Sequence, residues 1–115
     1  MTVTIYHNPR CSKSRQTLEL LRRKGLDPEI IEYLKNPPGK SEMTGILALL
    51  GLAPRDLMRK KEAEYKANGL DAPDLSDKQL LDALIEHPVL IERPIVLANG
   101  KAAVGRPPEN VLKII

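Results

Sequence analysis

Nine consecutive residues, His7-Asn8-Pro9-Arg10-Cys11-Ser12-Lys13-Ser14-Arg15, hold the side-chain types that nucleophilic chemistry needs. Cys11 is the chain's one cysteine. The apolar-alternating run Val3-Thr4-Ile5-Tyr6 precedes it and a leucine-rich helical pattern follows, so the thiol falls at a strand-to-helix turn. The first N–H groups of a helix have no intrahelical partner, and anionic groups are favoured beside them. A thiolate is such a group. Helix starts and nearby cations lower thiol pKa values to roughly 3.5–7.5, and here the cations are Arg10, Lys13 and Arg15, with His7 upstream. An unpaired cysteine is more often a small buried apolar residue. Flanking by Pro, Arg, Ser, Lys and Ser argues against an apolar pocket, and Cys11 is read as a reactive nucleophile.

Several chemistries are disfavoured by what is absent. Cys11-Ser12-Lys13-Ser14 has Ser where a dithiol oxidoreductase carries its resolving cysteine, so a redox cycle must recruit an outside thiol such as glutathione. A phosphatase loop needs Arg six positions after its Cys, and position 17 is Thr. One Cys and two distant His show no metal-ligand spacing, so no metal is expected. Eighteen basic against fifteen acidic residues give a formal charge of +3, too slight to argue for nucleic acid. With three Tyr and neither Phe nor Trp, base-stacking platforms are not expected either.

The elements that must position the thiol read as follows. Residues 3–7 form a strand. The next helix carries Leu18, Leu20 and Leu21 on its apolar face, with Ser12 and Ser14 as cap-compatible residues and Gly25 as its stop. Glu29-Ile30-Ile31-Glu32-Tyr33 reads as a second strand, completing a βαβ unit with parallel strands. After Pro37-Pro38-Gly39, Ser41 can cap a helix through Leu50, closed by Gly51. Pro54 opens a short helix carrying Leu57, Met58 and Arg59. Lys60–Lys66 reads as a solvated helical turn ending near Asn68-Gly69. Ser76-Asp77-Lys78-Gln79 is a capping box before Leu80, Leu81, Leu84 and Ile85. Val89–Ala98 and Lys101–Val104 are strand-like runs about Asn99-Gly100, the strongest short-range hairpin signal, with Pro94 at a strand start or edge. A terminal helix ending in Leu112, Ile114 and Ile115 follows Pro107-Pro108. The order βαβ, helices, ββα describes an α/β, thioredoxin-like mixed sheet. The expectation is one domain over 1–115, with residues 40–86 as a helical insertion.

The chain has no 18-residue apolar run, so no membrane span is expected. No charged, long-apolar leader is visible, and a free thiol suits a reducing cytoplasm.

The sequence resembles the glutathione- and glutaredoxin-dependent arsenate reductases along essentially its whole length. The carriers are His-Asn-Pro-x-Cys-x-x-Ser-Arg at 7–15, Tyr33-Leu34 with Pro37-Pro38, Leu57-Met58-Arg59-Lys60, His87-Pro88, Glu92-Arg93-Pro94-Ile95-Val96 and Gly105-Arg106-Pro107. The resemblance implies a thioredoxin-like fold with a helical insertion and a cis Arg93–Pro94 peptide. It implies that Cys11 attacks arsenate, that Arg59, Arg93 and Arg106 bind the oxyanion, and that His7 and Ser14 tune or orient the thiol. It further implies glutathione as co-substrate, glutaredoxin as partner, and no bound cofactor. Planar guanidinium forks suit a tetrahedral oxyanion. Arg10 and Lys13 depart from the small or neutral residues of other members, as in a chromosomal branch of the family, and bear on which oxyanion is used. Two other readings stand beside this one. One is an Spx-like regulator binding RNA polymerase, for which the usual Cys-x-x-Cys switch is missing. The other is a monothiol, glutathione-linked oxidoreductase, for which three distal arginines have no obvious purpose.

Overall fold

Alternating Val3 and Ile5 bury one face of the first strand, β1 (Val3–His7), against the helix that follows, α1 (Ser12–Arg23). The computed structural model describes residues 2–115. Leu18 and Leu21 of α1 are buried and Leu20 is partly so, as the leucine spacing requires. Gly25 lies just past the helix end with φ of 79°, a left-handed conformation that glycine adopts without penalty. Strand β2 (Glu29–Glu32) then pairs parallel with β1. Ile30 remains 40% exposed, because β2 is an edge strand.

Strands β3 (Ile95–Ala98) and β4 (Lys101–Val104) form the hairpin about Asn99 and Gly100, both with positive φ as a tight primed turn requires. β3 runs antiparallel to β1, and β4 antiparallel to β3, in the order β2-β1-β3-β4. This is the thioredoxin-like mixed sheet. Its core joins Val3, Ile5, Leu18, Leu21, Val96, Ala98 and Ala103 to Val111 and Ile114 near the C-terminus.

The register fixes which loops meet. Tyr6 pairs with Ile95, and Ile95 pairs with Val104. The end of β1, the start of β3 and the end of β4 therefore share one end of the sheet. The Cys11 loop, Arg93 and Arg106 all attach there.

The chain divides into two units, one containing the residues up to Asn36 and Arg93–Ile115, the other Pro37–Glu92. The second unit holds helices α2 (Lys40–Leu50), α3 (Ala63–Ala67) and α4 (Asp77–Glu86). Ser76 and Gln79 make the reciprocal capping box that their spacing predicts, at 2.8 and 3.2 Å. The guanidinium of Arg55 donates to the Tyr65 hydroxyl and to the carbonyls of Leu70 and Ala72, each at 2.7 Å, which ties the loop after α3 back to the Pro54 turn.

Several local expectations are corrected. Gly39, not Ser41, is the N-cap of α2. The Pro54 helix is a 3₁₀ turn that stops at Leu57, because Met58 turns extended and bridges to Ile91. The run Val89-Leu90-Ile91 is no strand: Pro88–Leu90 makes a 3₁₀ turn, and strand geometry begins only after Pro94. The second strand stops at Glu32, one residue short of Tyr33. The C-terminal helix is a 3₁₀ segment, Pro108–Lys113.

Candidate functional site

The loop between β1 and α1 is held by its own backbone. The Cys11 N–H donates to Asn8 O at 3.0 Å, and the Arg10 N–H to Asn8 Oδ1 at 3.0 Å. Arg15 reaches back from the first turn of α1 and donates to Pro9 O at 2.9 Å. Cys11 is itself the N-cap residue of α1, in extended conformation, and no side chain caps the helix. The N–H groups of Lys13 and Ser14 are thereby left to face its sulfur.

Ser14 is fully buried and does not cap the helix. Its Oγ lies 2.6 Å from His7 Nδ1 and accepts the Asn8 N–H at 3.0 Å. One hydroxyl thus joins the last residue of β1 and the first residue of the loop to the turn of α1 that faces the sulfur. Burial holds His7 below the usual imidazole range; the Glu32 carboxylate opposes this, while Arg22 and Arg15 add to it.

Cys11 is buried, with 9% of its surface exposed, yet polar groups surround the sulfur. Burial pushes the thiol pKa up. The N–H of Ser14, the charge of Arg93, the N–H of Lys13 and a hydrogen bond from Arg93 together outweigh it, and the thiol lies below its ordinary value. Arg106 contributes a second guanidinium, with Nη2 3.6 Å from Sγ.

The two arginines are braced against each other. Arg106 Nε donates to Arg93 O at 2.8 Å, and the Gly105 N–H to Pro94 O at 2.8 Å. Both Arg93–Pro94 and Arg106–Pro107 are cis. Gly105 allows this approach. A Cβ built there would lie 2.6 Å from Thr17 Oγ1 and 2.8 Å from Pro94 Cγ. Thr17 is fully buried and donates to Lys13 O at 2.8 Å, so the contact reaches the first turn of α1. Gly105 and Thr17 were legible only as a motif glycine and as the residue where a phosphatase would carry Arg. Nothing in their spacing announces the contact.

His7, Cys11, Ser14, Arg93 and Arg106 thus gather at one end of the sheet. Arg59 belongs to the second unit. There its guanidinium pairs with Glu62 and lies 3.8 Å from Glu92, and the backbone N–H of Arg59 donates to Leu90 O at 2.7 Å. These carboxylate partners of Arg59 were not anticipated from the sequence.

Such a constellation can present a thiolate to a tetrahedral anion and hold that anion on guanidinium forks. The model of the ArsC family matches residues 6–114. An arsenate reductase of Neisseria meningitidis is 54% identical over 114 residues, 98% of this chain and 97% of that protein. The uncharacterized protein YfgD of Escherichia coli is 51% identical over 98% of this chain and 96% of its own length. Among solved structures, an arsenate reductase from Vibrio cholerae superposes with a TM-score of 0.97 at 52% identity, covering 100% of this chain and 98% of that one.

Proposed function

The chain belongs to the ArsC family, and from that premise we propose that it reduces arsenate to arsenite through a covalent Cys11–arsenate adduct. The observation that carries this reading is the pair of guanidiniums, Arg93 and Arg106, on a thiol that helix-start N–H groups already acidify. Relatives named as arsenate reductases support the substrate.

In this mechanism the Cys11 thiolate attacks arsenic. An S–As bond forms and one arsenate oxygen leaves as water after protonation. Arg93 and Arg106 hold the remaining oxygens, where charge gathers as the adduct forms. Two outside thiols supply the two electrons that take arsenic from the pentavalent to the trivalent state. Glutathione and then glutaredoxin attack in turn, ending with arsenite, a disulfide between those two partners and a free Cys11 thiolate. The chain needs both because Cys11 has no partner cysteine of its own. His7 and Ser14 act through the loop, holding the Lys13 and Ser14 N–H groups on the sulfur. Arg59 is assigned to the oxyanion by its correspondence to the family motif, and a cytoplasmic location suits an enzyme that depends on reduced thiols.

Purified protein with arsenate, glutathione and glutaredoxin should produce arsenite. Cys11→Ser should abolish turnover, and Arg93→Ala should lower it on the order of a hundredfold, the cost of losing one donor to a developing oxyanion. Equal turnover in wild type and Cys11→Ser would remove the reading.

A further inference from the structure

We propose that Glu62 and Glu92 set the anion specificity of the protein: they occupy Arg59 at rest, so that an oxyanion gains this guanidinium only by displacing them. This rests on the reading of Arg59 as an oxyanion-binding residue, and both glutamates act through it.

Backbone contacts within the second unit place both carboxylates. Segments 57–59 and 90–92 lie antiparallel, bridged at Met58 and Ile91. The Arg59 N–H donates to Leu90 O at 2.7 Å and the Glu92 N–H to Leu57 O at 2.8 Å. Leu57, Met58, Leu90 and Ile91 are all buried, which anchors the two segments. Arg59 and Glu92 are thereby held on facing chains, with Arg59 Nε 3.8 Å from Glu92 Oε1. Glu62 comes from the turn that follows. Its N–H donates to Arg59 O at 3.1 Å, and its Oε1 accepts from Arg59 Nη1.

Two carboxylates on one guanidinium leave the cluster with an excess of negative charge. The side chains of Arg59, Glu62 and Glu92 are only 24%, 27% and 30% exposed, so salt screens them less than charges in open water. An arriving tetrahedral anion needs the N–H donors that these carboxylates face. Every anion meets that opposition. Phosphate has the shape and charge of arsenate but forms no lasting bond to the thiolate, whereas for arsenate the S–As bond offsets the displacement. The glutamates thus weaken the binding of spectator anions more than they hinder the reacting one, which is specificity through a repulsive element.

Inorganic phosphate is the probe. The phosphate concentration that halves the alkylation of Cys11 by iodoacetamide is to be read by intact-protein mass spectrometry. The proteins compared are wild type, Glu62→Gln, Glu92→Gln, Arg59→Ala and the double variant Arg59→Ala/Glu62→Gln. Glu62→Gln should lower that concentration roughly three- to fivefold, the range of a partly exposed ion pair. Glu92→Gln should lower it less, its pairing being the longer. Arg59→Ala should raise it, and Glu62→Gln added to Arg59→Ala should change nothing further. A merely structural loss would loosen phosphate, so the direction of the shift separates the two roles. Unchanged or weaker protection in Glu62→Gln, or tightening that persists without Arg59, would overturn the proposal. Phosphate binding is read without turnover. Tightened phosphate in a protein that makes no arsenite would therefore sink the arsenate reading and leave the glutamates' role standing, and arsenite production with unchanged protection would do the reverse.

Discussion

At Cys11, burial and hydrogen bonding act on one proton in opposite directions. Burial alone would keep the thiol protonated, yet two backbone N–H groups and the Arg93 guanidinium prevail. The rate of iodoacetamide alkylation should therefore rise with pH about a midpoint below that of a free thiol, and Arg93→Ala should move that midpoint upward. A wild-type profile following an unperturbed cysteine would contradict this balance. The sequence made the thiol and its helix start legible, because a lone Cys among Pro, Ser and basic residues is poorly suited to an apolar pocket. It did not show how Ser14 is used. A serine in a first turn reads as a cap, but its hydroxyl turns instead to His7 and to the Asn8 N–H. That pairing spans the strand-to-helix turn, and neither helical nor strand periodicity reports on it.

The elements that carry the arginines are fastened to α1 where β4 ends. Gly105 has room for no side chain between Thr17 and Pro94, and Arg106 follows it directly. Gly105→Ala would force an extra carbon into a close-packed contact, at a cost of about 1–3 kcal/mol. The urea midpoint should fall accordingly, and the alkylation rate of Cys11 near neutral pH should fall with it as Arg106 is displaced from Sγ. Unchanged stability together with an unchanged alkylation rate would show that the contact relaxes freely. Elements with local signals were legible: the Asn99-Gly100 hairpin, the Ser76 capping box and the leucine face of α1. The Val89–Ile91 run was misread because apolar β-branched residues suit a strand, whereas Pro88 begins a 3₁₀ turn there. The C-terminal segment failed similarly, since Pro107-Pro108 resembles a helix start and Pro108–Lys113 continues as 3₁₀.

Across the whole chain, the order of elements was readable because each carries its own pattern. The meeting of Cys11 with Arg106, 95 residues away, was not, because it depends on strand register. Ionisation at the site is coupled to folding as well. His7 has a folded pKa below its unfolded value near ~6.5. In the window between the two, the unfolded chain binds a proton that the folded chain does not, and acid favours unfolding. Cys11 also has a lowered folded pKa. Between its folded value and that of a free thiol, the unfolded chain again holds the extra proton. Both groups therefore make stability rise with pH, His7 below about 6.5 and Cys11 below about 8.5. The urea midpoint should climb across both windows in wild type. His7→Asn should remove the lower rise, and Cys11→Ser should remove the upper one while leaving the lower in place. Parallel curves for wild type and both variants would mean that neither group changes its affinity for a proton when the chain folds.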